Sequence, residues 1–348
     1  MHRLRLLLPI GFVAITTLAA CKKKENKPEE KPATDNQAAV TPPTPTPPTP
    51  EPPKPPEPVN TTDVEVTPAR LNLEEHTDWK PVPSLPKGAQ MAVLEGAPPF
   101  AEGKSFAFLL KFPKGYKVPP HTHAVTERVT VLSGSIHFGH GEKFDPKKGK
   151  HIKAGGIVLI PAGHTHFVWT TEEMVLQLQG VGPWGIYYVD PKDDPRQPAV
   201  AKPEGIKHDT DSDLQAAEYN PADVKWNPGP PSLPAGAEIA ALEGAPPFGP
   251  GKSFVFRLKF PDGYKIPVHH HLVTERINVL SGTLGFGMGD TWNDADLKQM
   301  KAGGVVYMPR EHKHFVQAKG ETIVQVQGVG PWGIVYANPD EDPRNAKK

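Results

Sequence analysis

Cysteine is almost missing from this chain: Cys21 stands alone among 348 residues, which excludes an intramolecular disulfide. Net charge is missing too. The 39 basic residues are balanced by 39 acidic ones, whereas a nucleic-acid ligand calls for a basic footprint. No long helical pattern stands out, and there is no phosphate-binding glycine loop, nucleophile elbow or cysteine nucleophile. The acidic loop of Asp290, Asn293, Asp294 and Asp296 lacks the alternating ligands and central glycine of an EF-hand, so it reads as solvated. The apolar run Leu6 to Ala20 is too short for a comfortable transmembrane helix.

What is present begins with an export signal. Arg3 and Arg5 form a basic start, and the apolar run that follows ends in Leu18-Ala19-Ala20-Cys21. That ending resembles the lipobox of bacterial lipoproteins. The resemblance implies removal of residues 1–20 as a signal peptide and lipidation of Cys21. The mature protein would be held on the membrane through Cys21, with Lys22, Lys23 and Lys24 at the headgroups. Lys22 stands where some such lipoproteins carry an inner-membrane aspartate, and the expected location is the bacterial cell envelope, as a periplasmic or outer-membrane lipoprotein. Residues 21–63 read as the lipidated cysteine and a disordered Pro-rich tether. Thr41 to Pro58 is largely Pro, Thr and Glu, with too few large apolar residues for a core. At about 3.1 Å per residue, such a polyproline segment would hold the folded part on the order of 100 Å from the lipid.

The remainder is an internal duplication. Ser84-Leu85-Pro86 recurs as Ser232-Leu233-Pro234, and Gly180 to Ile186 recurs as Gly328 to Ile334, always 148 positions on. This predicts two domains of one fold, at 64–205 and 206–348. Phe106, Phe108, Leu110 and Phe112 alternate with Ser105, Ala107, Leu109 and Lys111, which is the period of a strand. Short β-rich runs such as Arg128 to Leu132 and Ile157 to Ile160 are punctuated by glycine turns. Many short strands so divided predict an all-β sandwich or barrel. Residues 190–221 read as an exposed connection, with a short helix near Asp213 to Glu218.

Each copy carries the same set of metal-ligand residues. His121, His123 and Glu127 recur as His269, His271 and Glu275. Residues two and four apart on a strand share a face, so each trio would project to one side. A later histidine, His166 or His314, would close each cluster. Three imidazoles and a carboxylate suit a divalent first-row metal with one or two positions left for water or substrate.

The order Gly115, five residues, His121-x-His123, three residues, Glu127, six residues, Gly134 resembles the first cupin motif. Gly155, five residues, Pro161-x-Gly163, two residues, His166 resembles the second. The second copy matches the first motif fully, but Pro309-Arg310-Glu311 replaces Pro-x-Gly, and Thr170 and Ala318 stand where an asparagine often ends the motif. The resemblance covers about Asn72 to Asn338 and implies a bicupin, two tandem antiparallel jelly-roll β-barrels. It also implies that the metal sits inside each barrel on the four residues already singled out.

Other residues carry weaker expectations. Gln177 and Gln179 share a strand face, as do Gln325 and Gln327, and are candidates for facing a substrate cavity. Trp184 and Trp332 read as core or interface residues, and Arg128 and Arg276 as partners of carboxylates between sheets or domains. His164 and His312 read as turn residues near the pocket. His270 points outward by parity, and His137, His140 and His151 have no counterparts in the second copy. The function expected is a membrane-anchored, metal-dependent oxidoreductase of dioxygenase type acting on a small organic molecule. The alternative is a non-catalytic binding or sensing module. Up to two metals per chain are expected, of iron, manganese, nickel, copper or zinc.

Overall fold

The computed structural model describes residues 62–203 and 214–346. The expected signal peptide, Cys21 and all but the end of the tether lie outside the described residues. No helix among the described residues is long and apolar enough to cross a membrane.

Each copy folds as two antiparallel layers closed around one core. In the first, a seven-stranded sheet runs Ala217–Tyr219, Ile157–Ile160, Glu127–Ser133, Met174–Val181, Ser105–Phe112, Gln90–Glu95 and Lys80–Pro81. Opposite it lies a five-stranded sheet: Ile186–Tyr188, Lys117–His123, His166–Trp169, Ser135–His140 and Lys150–Lys153. The second copy repeats this in a single ten-stranded sheet, because Glu275–Met288 and His314–Val329 run unbroken through both layers. The all-β jelly-roll expectation holds in both copies.

The alternation in Ser105–Phe112 acts as expected, but both faces are buried. Phe106, Phe108, Leu110 and Phe112 fill the barrel interior. Ala107 and Leu109 pack on the other side with Leu132, Val175, Val305 and Tyr307, a cluster drawn from both copies. Burying each such phenylalanine contributes roughly 1.5–3 kcal/mol. Both copies therefore share a core between them as well as owning one each.

The segments that lead into the copies are exchanged. Ala69–Leu71, ahead of the first copy, pairs with Val305–Met308 of the second. Its counterpart Ala217–Tyr219 pairs with Ile157–Ile160 of the first. The short helix expected near residues 213–218 begins outside the described residues, and its described part is not helical: 217–219 form this strand, because each three-residue leader satisfies its backbone on an open sheet edge. Each leader ends in an asparagine that locks the exchange. The Asn72 amide donates to the Gln299 carbonyl and its oxygen accepts from Lys301 N. Asn220 makes the same two bonds to His151 and Lys153. A cut at 205/206 gives each leader to its own copy, whereas the hydrogen bonds give it to the other. The last tether residues are also docked: Asp63 accepts from Thr274 N and from Arg276.

Buried charge completes the junction. Arg128 makes a two-pronged pair with Glu243, and Arg276 makes the same pair with Glu95 at 2.6 Å for both bonds. Both arginines point away from the barrel interiors, as strand parity requires.

Candidate metal centres

The ligand candidates are delivered by strand register. Lys117–His123 presents His121 and His123, and His166, at the start of the neighbouring strand, pairs directly with His121. His314 pairs with His269 in the same way. Glu127 and Glu275 open the next strand of each barrel. Within each trio of histidines the coordinating atoms lie within 4.8 Å of one another, and all six residues are buried.

Hydrogen bonding decides which nitrogen faces inward. His121 Nδ1 bonds the Pro119 carbonyl at 2.7 Å, His123 Nδ1 the Gly185 carbonyl at 2.8 Å, and His166 Nδ1 the His164 carbonyl at 3.1 Å. His269, His271 and His314 repeat these bonds to Pro267, Gly333 and His312. A carbonyl can only accept, so Nδ1 carries the proton and Nε2 turns a lone pair toward the cluster. Burial holds His121, His123, His166 and His269 well below the ordinary histidine range, which keeps them unprotonated and ready to bind a cation. His164 and His312 thus contribute through their backbone carbonyls rather than their rings.

The residues fit a divalent metal. In the second copy His271 Nε2, His314 Nε2 and Glu275 Oε2 are buried and have no hydrogen-bond partner among the described residues. His314 Nε2 faces Glu275 Oε2 at 3.1 Å, and His271 Nε2 faces Oε1 at 3.3 Å. Lone pairs set against a carboxylate at that distance call for a cation between them. In the first copy His123 Nε2 and Glu127 Oε2 stand 3.2 Å apart.

The two carboxylates differ in their surroundings. Burial pushes Glu127 up to about 8, although the Trp184 indole N–H, donated to its Oε1, opposes the rise. Burial acts on Glu275 in the same sense, but the positive charge that His271 and His314 carry when they take up protons in place of a metal outweighs it and holds this carboxyl well below the usual range. Trp332 stacks on His271 at 4.1 Å, while Trp184 stands 5.8 Å from His123 and 4.9 Å from Phe108. Free space follows the indoles. The first barrel leaves a cavity of about 50 Å³ beside its ligands, and the second about 410 Å³. Only the second falls in the range of small-molecule sites, roughly 300–1,000 Å³.

The four glutamines are a correction. Leu176 and Leu178 face the first cavity, so Gln177 and Gln179 between and beyond them face the other copy. Gln177 accepts from Asn278, Gln327 donates to Asn278, and Gln325 donates to Thr130 and accepts from Arg257. Gln179 lies with Arg128 and Arg276 at the same junction. They are polar groups between barrels, not cavity residues; Gln177, Gln325 and Gln327 are hydrogen-bonded there, while Gln179 Oε1 is buried with no partner among the described residues. The tryptophans, read as core or interface, do pack against the two barrel cores, and each also lines its ligand cavity. Their recurrence in Gly-Pro-Trp-Gly was visible in the sequence, but the motif does not say which way the indole turns.

A model of a domain of unknown function, DUF4437, matches residues 100–249. That stretch includes the leader Ala217–Tyr219, which completes the first barrel, and Glu243, the partner of Arg128. No curated protein matches the chain. Among solved structures, a "putative dioxygenase" from Nostoc punctiforme is 12% identical, with 79% of this chain and 88% of that one covered at a TM-score of 0.54. The fold is that of a bicupin. A cupin 2 conserved barrel domain protein from Leptotrichia buccalis is 13% identical, covering 78% of this chain and 100% of that one at a TM-score of 0.46. Procruciferin, an 11S globulin from Brassica napus, is 11% identical, covering 77% and 86% at 0.48. The chain carries two histidine groups able to hold a metal ion.

Proposed function

We propose that this bicupin is an exported, lipid-anchored protein that binds a first-row divalent metal on His121, His123, Glu127 and His166, and another on His269, His271, Glu275 and His314. Its activity is of dioxygenase type, on a small organic molecule. The observation that carries the reading is the fixed orientation of all six imidazoles, each with Nδ1 tied to a carbonyl and Nε2 aimed at its neighbours. A bound iron, manganese, nickel or copper ion would supply a Lewis acid and a route for electrons to dioxygen; zinc would supply the Lewis acid alone. The chain's own part is to pre-set the ligands, exclude water with apolar walls and keep His121, His123, His166 and His269 unprotonated. Glu127 is placed to hold a proton when its metal is absent. The fold likeness to a protein described as a dioxygenase supports the reaction type as an analogy of scaffold.

Oxygen uptake by the metal-loaded chain, measured against a panel of aromatic and aliphatic acids, tests the activity. The expected result is substrate-dependent consumption that His269→Ala abolishes. Tight ligand binding without consumption would instead support the binding or sensing reading. The anchor is tested by metabolic labelling with palmitate, which Cys21→Ser should eliminate.

A further inference from the structure

The barrels share their ligands but not their free volume, and the following rests on the metal reading above. We propose that the two barrels divide the work: only the second admits an organic ligand, while Trp184 keeps the first closed over its metal. The first cavity, about 50 Å³, has room for a few waters and falls well short of a small-molecule site. Its indole is drawn to the ligand carboxylate Glu127 and packs edge-on to Phe108. In the second barrel the equivalent indole lies flat on His271 at 4.1 Å, and Glu275 faces His314 as well as the histidine that its counterpart also faces. That arrangement leaves about 410 Å³ running from His269, His271 and Glu275 outward past Ile239 and Phe248.

The chemistry of this cavity defines its occupant. Imidazoles that bind through Nε2 are neutral, so a divalent ion with one carboxylate leaves a net positive charge at the floor. An anionic oxygen donor is favoured there. The walls are mostly apolar, with Phe248, Phe256, Leu258 and Ile266 among them. Arg344, which also lines the cavity, is already held by both oxygens of Asp342 and makes no demand for a second anionic group. The occupant is therefore a monoanion with a flat or branched apolar body, such as an aromatic monocarboxylate.

The probe is 2-naphthoate, titrated calorimetrically into the metal-loaded full chain, with metal content measured on the same sample. One 2-naphthoate per chain is expected, bound at least tenfold more tightly than the neutral 2-naphthamide. Ile239→Trp should abolish binding while leaving metal content unchanged. Trp184→Ala should raise the stoichiometry to two. Trp184→Phe, which keeps the bulk and loses only the donor, guards against misfolding and should raise it partway. Two probes per wild-type chain, or one that survives Ile239→Trp, would overturn the division. Two metals per chain with no probe bound would overturn it and leave the metal reading standing. A metal content near zero would sink the metal reading itself, and the division with it.

Discussion

The two barrels differ less in what they hold than in what they let in. Both place three histidines and a glutamate on equivalent strands, with the same carbonyls behind the rings. Yet one cavity is about eight times the other, and the carboxylates sit in opposite electrostatic states. The linings differ as well: Val82 stands against Pro230, Met91 against Ile239 and Val118 against Ile266, and deeper in the barrel Val129 against Ile277, Ile160 against Met308 and Leu176 against Val324. Backbone register fixes the ligands, while one indole's placement sets the access. Ligand geometry and access can therefore drift apart within a single chain.

The widest test of the comparison is to remove one site at a time. His121→Ala with His123→Ala should halve the metal per chain and leave the second barrel loaded, as elemental analysis would show. Unchanged total metal would contradict the ligand assignment. Next in size is the junction that both barrels share. Arg276→Leu leaves Glu95 buried and unpaired, which should cost about 3–5 kcal/mol in a denaturant titration. Adding Glu95→Leu should recover most of that loss, and no recovery would mean that the arginine acts through some other contact.

A smaller effect separates the second motifs. Gly163 has φ 78° and Glu311, its counterpart, has φ 62°, the one positive value among described non-glycine residues. Both backbone N–H groups donate to the carbonyl of the first motif's second histidine, His123 or His271, so the turn is the same. Glu311→Gly should stabilise the protein by about 1 kcal/mol, and Gly163→Glu should destabilise it by a similar amount, read as opposite shifts in Tm. Shifts of the same sign would contradict equivalence of the turns.

The smallest effect is a pH signature of the metal-free protein. Glu127, raised to about 8, keeps a proton that the unfolded chain gives up near pH ~4.3. Its contribution to stability is present below the unfolded value and is lost as pH rises toward 8. Glu275 is lowered, so its contribution is present above the ordinary glutamate range and is lost as pH falls below it. Glu127→Gln should therefore flatten the fall of Tm between pH 5 and 8, and Glu275→Gln the fall in acid. Equal slopes for both variants would erase the distinction.

Much of this was legible in the sequence. His121 and His123 on one strand face, and Phe106 to Phe112 in alternation, carry their geometry in their spacing, but Glu127 does not share that strand: the chain turns after His123 and the carboxylate enters from the next one. The repeat offset carried the second barrel. What spacing cannot tell is what covers the other face. Gln177 and Gln179 share a face, but the cavity took the leucines beside them. Ala69–Leu71 and Ala217–Tyr219 are too short to announce which sheet edge they join, so the exchange of leaders was hidden. Trp184 and Trp332 occupy equivalent positions, and only the geometry shows them making different contacts.

The most direct measurement is the metal content of the full chain, purified without an affinity tag or chelator and then titrated with iron, manganese, copper, nickel and zinc in turn. The account predicts saturation near two ions per chain, falling to one when either pair of strand histidines is replaced. A chain that holds no metal and takes none up would contradict it.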